Sequence, residues 1–118
     1  VTRPNIGYDI GAMQDVFRER LPGFPNDWTH LIWFTDDTVP VYKNFVQKYI
    51  NKLVGTVGVT CMQISNEVKI HIRTTGFAIK KETASKITFP VDPIITKEDC
   101  YRFEHRSINT FYQQTVRF

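Results

Sequence analysis

"YKNFVQKYINKLVGTVGVTCMQI", residues Tyr42 to Ile64, changes its apolar period midway. Tyr42, Phe45, Val46, Tyr49, Ile50 and Leu53 fall on one helical stripe, with Lys43, Asn44, Gln47, Lys48, Asn51 and Lys52 on the other side. Gly55 supplies the stop, because glycine enters the left-handed conformation that closes a helix. From Thr56 the period drops to two, which is the spacing of a strand with two unlike faces. A helix handing over to alternating strands predicts an α+β chain.

Moving toward the C-terminus, "TVGVTCMQI" and "EVKIHIRTTGFAI" flank Ser65-Asn66, a two-residue hairpin candidate. Val68, Ile70 and Ile72 then point one way, and Lys69, His71 and Arg73 the other. Thr74-Thr75-Gly76 reads as a bulge, after which Phe77 and Ile79 resume the apolar side. "KKETAS" reads as a polar connection, "KITFPV" as a short strand and "DPIITKED" as a loop. In the closing segment Tyr101, Phe103 and His105 alternate with Arg102, Glu104 and Arg106, which favours two further strands. A helix over Lys97 to Tyr112 competes, because acidic residues near its start suit the helix dipole.

Moving toward the N-terminus, "TVPVY" is a brief extended piece that Pro40 confines to an edge. "NDWTHLIWF" is expected as a short helix capped by Asn26 or Asp27, with a strand as the competing reading. Ile6, Ile10, Met13, Phe17 and Leu21 predict a first helix, ended by "PGFP". The expected architecture is therefore a single α+β domain over residues 1–118. Three N-terminal helices pack on one face of a curved antiparallel sheet.

With 42% hydrophobic and 23% charged residues, the chain has the composition of a folded domain and not of a disordered one. No apolar run reaches the ~18 residues of a membrane span. The start shows no basic-then-apolar leader, and the two cysteines, Cys61 and Cys100, read as buried thiols with one disulfide as the alternative. An intracellular location is expected. Net charge is +3; residues 1–59 hold six basic and six acidic groups, residues 60–118 nine and six, so the excess lies in the second half.

Three stretches carry a family resemblance. "LIWFTDDTVPV" looks like an aromatic–x–Asp–Asp step, "YKNFVQKYINKLVG" like a third helix and "SINTFYQ" like an Asn-x-Phe closing strand. Together they resemble the nuclear transport factor two-like superfamily, the cone-shaped fold of small transport factors, ketosteroid isomerase and many binding domains. The short first helix and "ITFPVDPII" depart from that pattern. A rival resemblance is to the RNA-recognition motif, through "IWFTDD" and "TTGFAIKK", with Trp33 and Phe77 as stacking aromatics. Thr75 and Ile79 depart from it.

Asp36 and Asp37 read first as a polar corner, since neighbouring carboxylates on a strand point apart and cannot share a proton. His30, His71 and His105 are lone histidines without nucleophile or ligand partners in sequence. No phosphate loop, nucleophile elbow or metal-ligand spacing is present, so no cofactor and no metal are expected. The expected function is a non-catalytic binding module. It engages a protein partner through a basic sheet face (Lys69, His71, Arg73, Arg102, Arg106 and Arg117) or an aromatic pocket (Phe17, Trp28, Trp33, Asp36, Asp37, Tyr101 and His105). The same sheet face could instead bind RNA or join a homodimer or heterodimer, without membrane contact. A third reading is a small pocket isomerase or hydratase with Asp36 or Asp37 as base.

Overall fold

His30-Leu-Ile-Trp-Phe34 is a strand, and its position organises the rest. The computed structural model describes residues 1–61, 63–66, 71–104 and 116–117, with the backbone alone for residues 64, 71, 116 and 117. Elements run α1 (Tyr8–Phe17), β1 (His30–Phe34), α2 (Phe45–Lys52), β2 (Val59–Cys61), β3 (Ile64–Ser65), β4 (His71–Ile72), β5 (Gly76–Lys80), α3 (Lys81–Lys86), α4 (Lys97–Arg102) and β6 (Val116–Arg117). The chain is α+β. Strand β5 lies between β1 and β2, antiparallel to both, and β6 joins the outer side of β2 in parallel. A separate two-stranded sheet pairs β3 with β4.

The register sets Trp33 against Phe77 and Ile32 against Ala78, and from the other side Cys61 against Phe77 and Thr60 against Ala78. Side chains alternate along strands, so the sheet sorts its residues into two faces. Leu31, Trp33, Val59, Phe77 and Ile79 join the larger core with Ile10, Met13 and Phe17 of α1, Ala84 of α3 and Cys100 of α4. Ile32, Phe34 and Ala78 join a smaller cluster with Phe45, Tyr49 and Leu53 from the α2 segment. Phe77 and Ile79 have no exposure, each burial contributing about 1.5–3 kcal/mol.

This arrangement corrects the expected order. The short helix at "NDWTHLIWF" is β1; a strand covered on both faces reads as an unbroken apolar run and shows no alternation to give it away. The front half holds two helices, not three, and they lie on opposite faces of the sheet: α1 on the large core, α2 on the small cluster. Helix α1 ends at Phe17, five residues before Pro22. Glu19 takes φ +55°, Arg20 N–H donates to the Asp15 carbonyl at 2.8 Å and Glu19 N–H to Val16 at 3.1 Å, a left-handed terminator that needs no proline.

The second half holds more helix than expected. "KKETAS" forms α3, with Thr83 and Ala84 buried. "KITFPV" is not a strand; Pro90 lacks a ladder donor, Ile87 is buried, and Phe89 stacks on Phe103 at 4.8 Å. The strand favoured at "CYRFEHR" begins as helix α4, so the competing reading gives its onset correctly. Thr96 Oγ1 accepts from Asp99 N–H at 3.1 Å while Asp99 Oδ2 accepts from Thr96 N–H at 3.0 Å, a reciprocal cap. Those amide bonds, Thr96 first and then Ile95, hold the Asp99 carboxyl below its usual range.

Between β4 and β5, Thr74-Thr75 is a turn joining strands of different sheets and not a bulge within one. Ser65 pairs with His71, so Ser65-Asn66 is not the two-residue turn of a hairpin. Ile72 is buried and Arg73 exposed, as the alternation predicts. Val68, Lys69 and Ile70 lie outside the described residues.

Candidate functional site

Among the described residues, three helices cover one side of the sheet and α2 covers the other. The chain leaves β1 through a turn in which Thr38 N–H donates to the Thr35 carbonyl at 3.0 Å. Thr35 Oγ1 donates to Asp37 Oδ1 at 2.7 Å, and Thr38 Oγ1 to the Thr75 carbonyl at 3.1 Å. That polar corner, the structural role expected for Asp36-Asp37, launches residues 38–42 away from the sheet. Val39 and Val41 are then 77% and 85% exposed, and Tyr42 56%. Two large β-branched residues this open are a departure from ordinary surface chemistry only because they adjoin a concavity.

The concavity is a cleft of about 470 Å³ between this segment, α2 and strand β2. Phe34, Pro40, Phe45 and Tyr49 form its apolar walls, Thr60 and Cys61 of β2 its floor, and Lys48 and Lys52 its cationic rim. Lys48 Nζ lies 4.0 Å from the Tyr42 ring centroid, which fixes the ring by cation–π attraction. Lys48 and Lys52 are four apart on α2 and so share one side of it.

The Tyr49 and Thr60 hydroxyls are closed off from water below the cleft surface, without a hydrogen-bond partner among the described residues. An unpaired buried hydroxyl costs about 1–3 kcal/mol. Burial raises the Tyr49 phenol, with the Cys61 thiol as a second cause, and burial pushes Cys61 up to about 12. Both groups are therefore protonated at neutral pH. Among the described residues that line the cleft there is no carboxylate or imidazole.

The predicted aromatic pocket does not assemble. Phe17 is buried in the large core, with Trp28 and Trp33 packed against it, whereas Tyr101 is exposed. Asp36 and Asp37 lie exposed at the corner, in a shallow depression with Arg3, Tyr8 and Asp9. Trp33 and Phe77 stack on each other at 6.4 Å, with Trp33 half-buried and Phe77 fully buried, so Phe77 offers no free ring face. His105 lies outside the described residues.

The predicted basic face divides among different elements. Arg73 is exposed beyond β4; Arg102 is exposed but ends helix α4; His71 and Arg117 belong to strands of different sheets. Lys69 and Arg106 lie outside the described residues. His30, the remaining lone histidine, opens β1 with its Nδ1 2.9 Å from Thr29 Oγ1. Cys61 and Cys100 are free and buried, as the sequence suggests.

Among the described residues there is no cluster of three potential metal ligands and no helix long and apolar enough to cross a membrane. In comparisons with family models, curated proteins and solved structures, the chain matches none.

The cleft residues Phe34, Val39, Val41, Tyr42, Lys48, Tyr49 and Lys52 were missed as a site by sequence reasoning. A signal for them exists. The α2 stripe is broad, and "TVPVY" places two valines about a proline that no neighbouring strand can use.

Proposed function

We propose that this chain is a non-catalytic binding module whose site is the cleft beside α2, occupied by an apolar segment of a protein partner. The observation that carries this reading is that Val39, Val41 and Tyr42 line the cleft and are nevertheless largely exposed, so its apolar surface runs out over its own rim. A small molecule held inside would touch these three side chains but leave their outward surface in water. A protein segment would cover cleft and rim together, and contiguous apolar surface beside a concavity is the usual mark of such contacts.

The chemistry of the lining supports binding over catalysis. General acid–base work needs a group able to change protonation near neutrality, and burial holds Tyr49 and Cys61 in their neutral forms.

The test is selection of a random-peptide display library on the full chain, followed by binding of the selected peptides to Val39→Asp and Val41→Asp. Both valines are so exposed that the thermal melt should not move. Selected peptides should bind wild type and lose at least about tenfold on either variant, since a buried charge opposite an apolar anchor costs more than 1.4 kcal/mol. Peptides that bind both variants as well as wild type would place the site elsewhere.

A further inference from the structure

We infer that the segment received by the cleft is acidic: an apolar or aromatic anchor flanked by Asp or Glu residues that meet Lys48 and Lys52. This inference rests on the binding reading above and narrows the class of partner.

The charge of the rim carries the argument. Lys48 and Lys52 both border the cleft, both are exposed, and neither forms an ion pair with a described residue. Lys43, also exposed, lies five residues before Lys48, ahead of the start of α2. Among the other described cations, Arg3 and Arg20 pair with Asp15, Arg20 with Asp92, and Lys81 with Glu19. The cleft rim sets two exposed ammonium groups directly beside apolar surface. An entering anchor removes water from around these ammonium groups, which strengthens their attraction for a carboxylate placed next to the anchor.

The same pattern disfavours two other occupants. A second copy docked across a two-fold axis would set Lys48 and Lys52 against their own equivalents, a like-charge contact that costs affinity. An anionic lipid surface shares the charge preference, but it is flat and receives protruding apolar residues. Here the apolar surface is concave and calls for a knob from the partner.

The experiment reads the composition of the selected peptides and their response to Lys48→Glu/Lys52→Glu. Both lysines are exposed, so the double variant should fold with an unchanged melt. Selected peptides should carry an apolar or aromatic residue with acidic neighbours. They should bind the double variant about tenfold more weakly at about 50 mM salt, with the difference shrinking as salt screens it. Selection repeated on the double variant should enrich Lys and Arg flanks instead.

Peptides that depend on Val41 but have neutral flanks, and that ignore the charge reversal, overturn the acidic inference while leaving the cleft as the site. Peptides indifferent to Val41→Asp overturn both. Binding to phosphatidylserine-containing vesicles, lost in Val41→Asp, together with failure to select any peptide, assigns the cleft to a lipid surface and refutes the inference. Concentration-dependent dimerisation abolished by Val41→Asp, again without peptide selection, assigns it to a second copy and refutes the inference too.

Discussion

Gln14 is a buried amide that fastens α1 to the loop before α4, and replacing it with leucine isolates the worth of that fastening. Its Nε2 donates to the Val91 carbonyl at 2.9 Å and its Oε1 accepts from the Ile94 amide at 2.9 Å, with 1% of the residue exposed. Leucine matches the size but offers neither group. The Ile94 amide is then left buried without its partner, which costs about 2 kcal/mol, and loss of the Val91 bond adds about 1 kcal/mol. For a chain of this length the unfolding entropy is about 0.25 kcal/mol/K, so a loss of about 3 kcal/mol lowers Tm by about 12 °C. Urea unfolding followed by far-ultraviolet circular dichroism measures the same quantity, with the midpoint falling by roughly 1.5 M at an m-value near 2 kcal/mol/M. A matched Gln14→Glu variant should recover stability at acid pH, where the protonated carboxyl again donates and accepts. A Gln14→Leu loss below about 1 kcal/mol, or a Glu variant indifferent to acid, would refute the account of Gln14 as a two-way clamp.

Two further perturbations test the packing around that clamp and beneath the cleft. Gly7, at φ +81°, turns the chain into α1 where an added Cβ would collide with the Ile94 carbonyl oxygen. Gly7→Ala should cost more than about 2 kcal/mol, against about 1 kcal/mol for Gly55→Ala, where φ is +60° and the space is open; equal melts for the two variants would contradict the collision. The thiols give an alkaline signature. Burial raises Cys61 from 9.0 to about 12 and Cys100 to about 11, so the folded state keeps protons that the unfolded state releases. Their stabilisation is complete below pH 9 and is lost as pH climbs toward 12. The urea midpoint of the wild type should fall across that range, and Cys61→Ala should flatten the fall.

How much of this was legible follows from what periodicity can and cannot report. Helix α2 was legible because its stripe persists for three turns. Strand β1 was not, since both of its faces are covered and the run Leu31 to Phe34 alternates nothing. Helices α3 and α4 have six residues each, too few to establish a period. In α4 the alternation of Tyr101 and Phe103 with Arg102 and Glu104 mimicked a strand, although the acidic start pointed to the helix. The Asp36-Asp37 corner was legible because local side-chain bonds decide turns.

The cleft was hidden for a different reason. A stripe tells which residues are apolar, not whether another element covers them; Tyr42 and Val46 belong to the stripe and remain exposed, whereas Tyr49 and Leu53 are buried. Of the proposed basic face, Arg102 lies on a helix and not on a strand, so strand parity does not place it.

Among the described residues, three helices on one side of the sheet and one on the other divide the chain's labour. Substitutions on the heavily covered side disturb a core on which the whole molecule depends, and most are purged. On the lightly covered side, the exposed Val39, Val41, Tyr42, Lys48 and Lys52 can change size and charge at small cost to folding. New recognition can therefore be acquired there by ordinary drift, and relatives of this chain should differ most in what they bind where they differ least in how they fold.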